Sequence, residues 1–545
     1  MKIKKIKISN FKCFKDTFSF ELNDGLNIIV GDNEVGKSTI IEAINLSLNG
    51  WFKGRYIHNE LTQYLFNRKV VEEYLKSLQD GKPISPPNIL IELFFSNDTP
   101  AIFKGNNNSE KSDSCGLSFK IEFDDKYLDE YELLLKEKSI HSLPIEYYQF
   151  YWESFARDEK VTPRLIPIKS ALIDSTSSRQ QNGSDLYIGQ IVKNYLETKD
   201  IVDVSQAHRK MKDVFIQEDA IKNINKKIQA DSQITDKKVE LSVELSTKNA
   251  WESSLVTYID DIPFHFLGKG EQSIIKTKLA LSHKKATEAN VLLVEEPENH
   301  LSHSKLNGLI QSLKSGSKDK QIIVSTHSSF VANKLGLDSL ILLHDLKTTK
   351  LTDLNEDTFR YFQKLSGYDT LRLLLSEKAI LVEGDSDELV VQKSFMQKNE
   401  NQLPIEKGVD VISVGTAFLR FLEIAEKINK PTIVITDTDW SLEALEEKYA
   451  NYIGANKKDN ILISYDNEID TGELLLNGKP FNYNTLEPKI LKANNLALFN
   501  KIFGTSHASD NEMHVFMKRN KTNCALALFE TEEEITIPDY IKNVL

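Results

Sequence analysis

Leu26-Asn27-Ile28-Ile29-Val30-Gly31-Asp32-Asn33-Glu34-Val35-Gly36-Lys37-Ser38-Thr39-Ile40-Ile41 is the stretch whose reading decides the fold. Residues 26–30 are rich in β-branched side chains and read as a strand. From 38 to 48, Ile40, Ile41, Ile44 and Leu48 recur at helical spacing and form the buried stripe of a helix. The glycines between them let the backbone curl, so that N–H groups face an anion at the positive end of that helix. Strand, glycine loop and helix is the context a nucleotide phosphate cradle requires. Lys37 supplies a point charge to the outer phosphates, and Ser38 is a candidate Mg²⁺ ligand. Gly31, Asn33, Gly36 and Thr39 complete the candidate ATP contacts. An ordinary strand–helix turn gives no reason for Lys37.

Outward from the loop, residues 3–8, 88–95, 119–123 and 147–152 read as further strands, and 163–173 as extended. The polar segment 98–116 reads as an exposed loop. From 177 the character changes: 177–184 is a polar linker, and 185–243 is lysine-rich, poor in glycine and proline, and reads as a helical insertion for self-association or as a plain surface arm. The strands 289–296 and 321–326 then restore the α/β pattern, so the first domain is discontinuous. Val291-Leu292-Leu293-Val294-Glu295-Glu296-Pro297-Glu298 ends in paired acids. Triphosphate hydrolysis needs one carboxylate at the metal, the candidate Glu295, and one at the attacking water, the candidate Glu296. His327, after the strand 321–326, is a candidate γ-phosphate sensor, although a histidine at a strand end is more often structural.

A second acidic cluster stands far downstream. In Ile380-Leu381-Val382-Glu383-Gly384-Asp385-Ser386-Asp387 an apolar strand delivers Glu383 to its carboxyl end, where open α/β sheets build their sites. Gly384 reads as a tight turn, and Asp387 returns to the same pocket from the start of a helix, 388–398. The strand 432–436 ends in Asp437-Thr438-Asp439; in an extended segment residues i and i+2 face the same way, so both aspartates approach one cation. Oxygen-only ligands select Mg²⁺ or Mn²⁺. Strands at 379–382, 409–414 and 461–465 and a helix at 418–428 complete a second α/β unit. Helix capping with solvated carboxylates is the bland alternative; it explains neither the Asp-x-Asp pair nor Gly384.

With 545 residues the chain exceeds one hydrophobic core. The fold class expected is α/β, in four segments: ATPase 1–176, helical insertion 177–243, ATPase 244–376 and a metal-dependent unit 377–545. No apolar run approaches a membrane span, the amino end lacks a signal-peptide core, and Cys13, Cys115 and Cys524 have no metal or disulfide spacing. These features lead us to expect a cytoplasmic protein. The net charge of −12 excludes a uniformly basic nucleic-acid coat but not a local basic track.

The phosphate loop, the paired acids, the opening Ile8-Ser9-Asn10-Phe11-Lys12-Cys13-Phe14 and Leu267-Gly268-Lys269-Gly270-Glu271-Gln272-Ser273 together resemble the ATP-binding-cassette ATPases of the structural-maintenance-of-chromosomes and RecF-like branch. The last stretch is similar to that family's signature, which completes the ATP site of a second head; the resemblance makes Gly270 an ATP contact and couples ATP binding to dimerisation. Gly268 and Lys269 depart from the family pattern, which implies slow hydrolysis or a sensing role. The downstream pair resembles the Toprim domain. ATPase followed by Toprim resembles the OLD (overcoming lysogenisation defect) nuclease family over nearly the whole chain. The resemblance implies a dimerisation arm at the insertion, dimers or tetramers, a metal-ligating Glu487 in Asn484-Thr485-Leu486-Glu487, a phosphate-stabilising Lys521, with Lys518 in competition, and Gly415 as the glycine between acidic strands. It implies two-metal hydrolysis, with Glu383, Asp437 and Asp439 on one ion, Asp387 and Glu487 on the other, and the option of a bridging acid. Family analogy extends to DNA cleavage or nicking in anti-phage defence, as in Gabija-type or retron systems, with a helicase-like partner or a reverse transcriptase and its RNA-linked DNA. An RNA-cutting effector, and a non-catalytic RecF-like clamp that leaves the second cluster unexplained, are the alternatives.

Overall fold

The structure is a computed structural model that describes all residues except 32–33, 54, 137–139, 157–159, 175–179, 182–183, 186–195, 232–240, 242–256, 283–288, 300, 316–319, 329–330, 333–334 and 365–367. The chain divides into two compact units, Met1–Thr326 and His327–Leu545.

In the first unit an antiparallel sheet runs Lys160–Val161, Tyr148–Ser154, Ser114–Phe123, Ile89–Phe95, Ile3–Ser9, Phe18–Glu21. Alternation along Ile3–Ser9 buries Ile3, Ile6 and Ile8. Register then lines up Ile8, Ile91, Phe119 and Trp152 in one buried row across four strands. A cross-strand row of this kind is the unit of sheet stabilisation, and a one-residue slip would turn it outward. A second, parallel arrangement places Ser170–Asp174, Val291–Glu295, Gln321–Thr326 and Leu26–Val30 side by side. Its inner strands are almost continuously apolar because both faces are covered. The helix Lys37–Asn49 packs against this sheet and against Ile89–Phe95. The fully buried Gln321 ties the two sheets: its amide donates to the Ile3 and Asn23 carbonyls at 2.7 and 2.8 Å, and its oxygen accepts from the Ile3 N–H at 2.9 Å.

Within 98–116, expected as a loop, strand Ser114–Phe123 starts early and Lys104–Gly105 pairs with it. The reason is close approach. A Cβ on Gly116 would lie 2.3 Å from the Phe155 ring, and one on Gly105 would lie 2.1 Å from the Phe155 carbonyl oxygen. Gly105 and Gly116 are strand residues under a bulky neighbour. In the insertion, the described helices are Thr198–Gln217 and Asp219–Asp231, and a short antiparallel bridge, Gln180–Gln181 with Ser184–Asp185, lies where a linker was expected. Most of 232–243 lies outside the described residues.

The second unit carries a four-stranded parallel sheet in the order Val409–Ser413, Lys378–Val382, Thr432–Ile435, Ile461–Ser464. The first strand in sequence sits between the second and third, so the chain reverses direction around it. Such a switch point opens a crevice at the strand carboxyl ends. Helices Leu486–Ala493, Leu496–Phe503, Asp510–Arg519 and Lys521–Glu530 complete the unit. The core joins Ile380, Val382, Ile433 and Ile435 of the sheet to Ile490, Phe499, Met513 and Leu528 of those helices. The stretch ahead of the sheet belongs to this unit: Glu423 accepts from the Asn355 N–H and Thr358 hydroxyl at 2.6 Å each, and Arg372 donates to Asp410 and to the Val411 carbonyl at 2.7 Å each.

Candidate functional site

Parallel register brings one set of candidates to a common edge in the first unit. Val30 pairs with Thr326, and Glu295 with Ser325, so the strand ends leading to Gly31 and Glu296 are level with Thr326, the last residue of that unit. Asn33 lies outside the described residues. Gly36 sits at φ +106°, a left-handed conformation open to glycine, and a Cβ there would lie 2.8 Å from Cys13 Sγ and 2.9 Å from the Phe14 ring. The opening Phe11–Phe14 segment therefore packs directly under the loop. Lys37 is buried, and its ammonium donates to the Gly31 carbonyl at 2.8 Å, folding the lysine across its own loop. Ser38 is half-buried and Thr39 buried in the first helical turn. A buried cation beside backbone amides at a helix start fits a phosphate chain.

Glu295 ends its strand. Glu296 follows at φ +40°, a strained value for a non-glycine, held by its N–H donating to the Ser325 carbonyl at 2.9 Å. Its carboxylate accepts from Asn299 at 2.7 Å, and Glu298 accepts from the Thr326 hydroxyl at 2.6 Å. Gly270 lies in the first turn of the helix Lys269–Ser282, where Gln272 donates back to the Leu267 carbonyl at 2.8 Å. His327 is exposed.

The second set occupies the carboxyl edge of the other sheet. Glu383 follows strand Lys378–Val382; its carbonyl accepts from the Gly415 N–H at 3.0 Å, and Gly415 is left-handed at φ +57°. Gly384, expected as a tight turn, is extended at φ −143°, a value open to any residue, and its N–H donates to the Asp387 carboxylate at 3.1 Å. Asp387 therefore caps the helix Asp385–Lys398 and faces the acid cluster as well. The extended geometry expected through Asp439 is also corrected. The strand stops at Ile435, and Asp439 is left-handed at φ +55°. This turn is held from outside: Thr438 donates to the Asp466 carbonyl at 2.6 Å, Asp439 accepts from Asn482 at 2.8 Å, and the Asp439 N–H donates to the Asn484 carbonyl at 3.2 Å. Even so, Glu383, Asp437 and Asp439 all line one cavity of about 300 Å³.

Electrostatics groups the acids. Burial, then Asp387, Glu383 and Glu487, push Asp437 well above the ordinary carboxylate range. Burial, then Glu487 and Glu383, push Asp387 up to about 7. Burial and Asp439 raise Glu383. Asp437 is thus engaged first with Asp387, not first with Asp439. Among the described residues no three His, Cys, Asp or Glu side chains are drawn into a closed metal-ligand set. The acids share one field without forming a cage. The donor chemistry is all oxygen, which suits Mg²⁺ or Mn²⁺. Lys521 opens its helix with its ammonium 3.0 Å from Glu487. Burial opposes its charge, yet Glu487, Asp437 and Asp387 hold its pKa above the usual lysine value. Lys518 instead lies 5.2 Å from the Phe481 ring centroid.

A family model described as "AAA ATPase domain" matches residues 1–332, and one described as "Overcoming lysogenization defect protein-like, TOPRIM domain" matches residues 374–439. The chain belongs to the OLD family of ATPase–Toprim fusions. As a member of the OLD family it is a nuclease-type enzyme with a nucleotide-binding domain and a Toprim domain of a class that works with divalent metals. Among solved structures it is similar to the "SMC head domain from Thermotoga maritima", at 15% identity, 63% coverage of this chain, 94% of that chain and TM-score 0.28. It is also similar to the Smc head domain with an extended coiled coil from Pyrococcus furiosus, at 14% identity, 64% and 95% coverage and TM-score 0.32. No curated protein matches the chain. Among the described residues no helix is long and apolar enough to cross a membrane.

Sequence reasoning missed several groups at the Toprim edge of this OLD-family chain. Lys448 and Trp440 line the acidic cavity, and Tyr540 stands close enough to Asp437 and Asp387 for burial and those acids to raise its pKa far above the phenol value. None of them sits in a spaced motif. Asn482, two residues before Asn484, was within reach as a polar pair beside a recognised stretch.

Proposed function

We propose that this OLD-family chain is an ATP-binding, Mg²⁺- or Mn²⁺-dependent endonuclease or nickase that hydrolyses DNA phosphodiester bonds. The supporting observation is the mutual crowding of Asp387, Asp437, Glu383 and Glu487 at one sheet edge with Lys521 among them. Unpaired carboxylates destabilise a fold, so a site that gathers them fits a cationic occupant. Glu383, Asp387, Asp437, Asp439 and Glu487 would hold the ions, with Asp437 as the bridging acid. Two divalent ions, when bound, supply positive charge at the attacking and leaving oxygens of an in-line displacement. Lys521 then faces the non-bridging phosphate oxygens and offsets the charge that grows on them. The Asn482, Asn484 and Thr438 bonds keep the Asp437–Asp439 turn from yielding when the substrate arrives.

In the first unit Gly31, Asn33, Gly36, Lys37, Ser38 and Thr39 would cradle ATP. Glu295 and Ser38 would face its Mg²⁺, Glu296 would orient water, and Gly270 and His327 would meet the γ-phosphate, Gly270 from a second copy. ATP then governs pairing of heads and through it cutting. The face of Thr198–Gln217 that bears Met211, Val214 and Phe215, spaced i, i+3, i+4 and 59, 59 and 49% exposed, supports self-association through the insertion. Removal of residues 185–243 should lower the mass measured by light scattering. An unchanged mass would make the insertion a passive arm. We place the enzyme in anti-phage defence, in Gabija-like or retron-like company, with a helicase-like protein or a reverse transcriptase and its RNA-linked DNA as partner. The deciding experiment is plasmid nicking with Mg²⁺ or Mn²⁺, with RNA as a parallel substrate, for wild type against Asp437→Ala. Cutting that survives the substitution removes the Toprim edge as the nuclease centre.

A further inference from the structure

Trp440 is 62% exposed directly after Asp439, and among the described residues no ring lies against it. The contrast within the chain is sharp: Trp152 is 5% exposed with its indole N–H donating to the Ser47 carbonyl at 2.8 Å, and Trp51 is half-buried in edge contact with Tyr56. An exposed indole beside a polar site offers a flat apolar face and a polar N–H to a ligand. Trp440 lines the same cavity of about 300 Å³ as Glu383, Asp437 and Asp439. Phe418, Leu445 and Tyr449 add apolar lining to it. Lys448 also lines it, with its ammonium 5.3 Å from the Phe418 ring centroid and 5.1 Å from that of Tyr449. Two ring faces hold that charge in place. Ser441 caps the helix Leu442–Lys448 by accepting from the Ala444 N–H at 3.2 Å, which fixes the chain just beyond Trp440.

We propose that this cavity is a nucleotide subsite of the nuclease centre: Trp440 stacks on an unpaired base next to the scissile phosphate, and Lys448 holds an adjacent phosphate. The inference rests on the nuclease reading above. An exposed aromatic beside a cation is the pairing by which single strands are held, and stacking of this kind tolerates any base because every base has a π-face. A base within a duplex already has both faces stacked. The subsite therefore selects frayed, bubbled or single-stranded substrate.

The test uses the full-length protein and a fluorescein-labelled oligo-dT strand, intact or carrying one abasic site, with EDTA present so that binding alone is read. Wild type should bind the intact strand about ten-fold more tightly than the best-placed abasic strand, and Trp440→Ala should abolish that difference and weaken binding about ten-fold. Trp440→Phe, which keeps a ring, should restore most of the loss. Lys448→Ala should flatten the dependence of log affinity on log salt by about 0.7, the share of one phosphate contact on a single strand. Plasmid cutting with Mg²⁺ is measured in parallel. Unchanged binding in Trp440→Ala overturns the subsite while leaving the nuclease reading intact if cutting persists. Loss of binding in Trp440→Ala with no cutting by wild type upholds base stacking on Trp440 and removes the nuclease reading.

Discussion

The two parallel sheets of this chain solve the same problem in opposite ways. Each delivers acids to its carboxyl edge. In the ATPase unit three charges at that edge have a neutral hydrogen-bond partner: Lys37 donates to the Gly31 carbonyl, Glu296 accepts from Asn299 and Glu298 from Thr326. In the Toprim unit the acids are set against one another, and burial together with Asp387 drives Asp437 far from its ordinary ionisation. A nucleotide carries its own negative charge and needs a cradle that is quiet until it arrives. The metal-dependent phosphodiesterase proposed for the Toprim unit needs the reverse, a store of negative charge that cations relieve. The lesson is that what the acids face, more than fold, separates the two edges.

Mutations can break that comparison. The largest effect should come from Asp437→Ala, which removes the most crowded carboxylate; loss of several kcal/mol of charge stabilisation corresponds to ~10³-fold or more in the nicking rate. A rate within ten-fold of wild type would show that the crowding is incidental. Next is Glu296→Gln. It keeps an oxygen for Asn299 and removes the charge, so ATP hydrolysis should fall about 10²-fold with nucleotide affinity unchanged. Normal turnover would take Glu296 out of the water-orienting role. Lys37→Ala should weaken ATP binding by roughly 10- to 100-fold, the worth of a charged hydrogen-bonding group. Equal ATP affinity in a titration would dismiss the cradle.

Much of this was legible in sequence. The strand 321–326 and the strand 26–30 lie where their apolar runs end, because a strand buried on both faces has no ambiguity of phase. The acids 383, 387, 437 and 487 share one field because strand ends and helix starts are local features and the parallel register does the rest. Asp439 was harder. Reading it as extended required knowing where the strand stops, and the stop is imposed by Asn482 and Asn484, residues more than forty positions away. The four closing helices were not anticipated from the pattern between 486 and 530, where short elements of eight to ten residues crowd together and blur the helical period. Trp440 and Lys448 had no spacing to announce them; only the cavity relates them to the acids.

The smallest expected effect is also the most discriminating. Asp437→Asn keeps shape and removes charge. In EDTA it should relieve repulsion from Asp387 and Glu383. Stability should rise by about 1 kcal/mol, roughly 2–4 °C in the melting of a unit of this size. Saturating Mg²⁺ should then stabilise wild type by about 3 kcal/mol at a hundred-fold excess over Kd and the variant by much less, reversing the order. Glu296→Gln is the control from the other sheet: its carboxylate accepts from Asn299, a bond the amide oxygen keeps, and its melting in EDTA should not rise. If Asp437→Asn melts below wild type without metal, the aspartate is favourably paired where it stands. The two edges would then be alike in their electrostatics, and the case for a cation-seeking site would rest on donor chemistry alone.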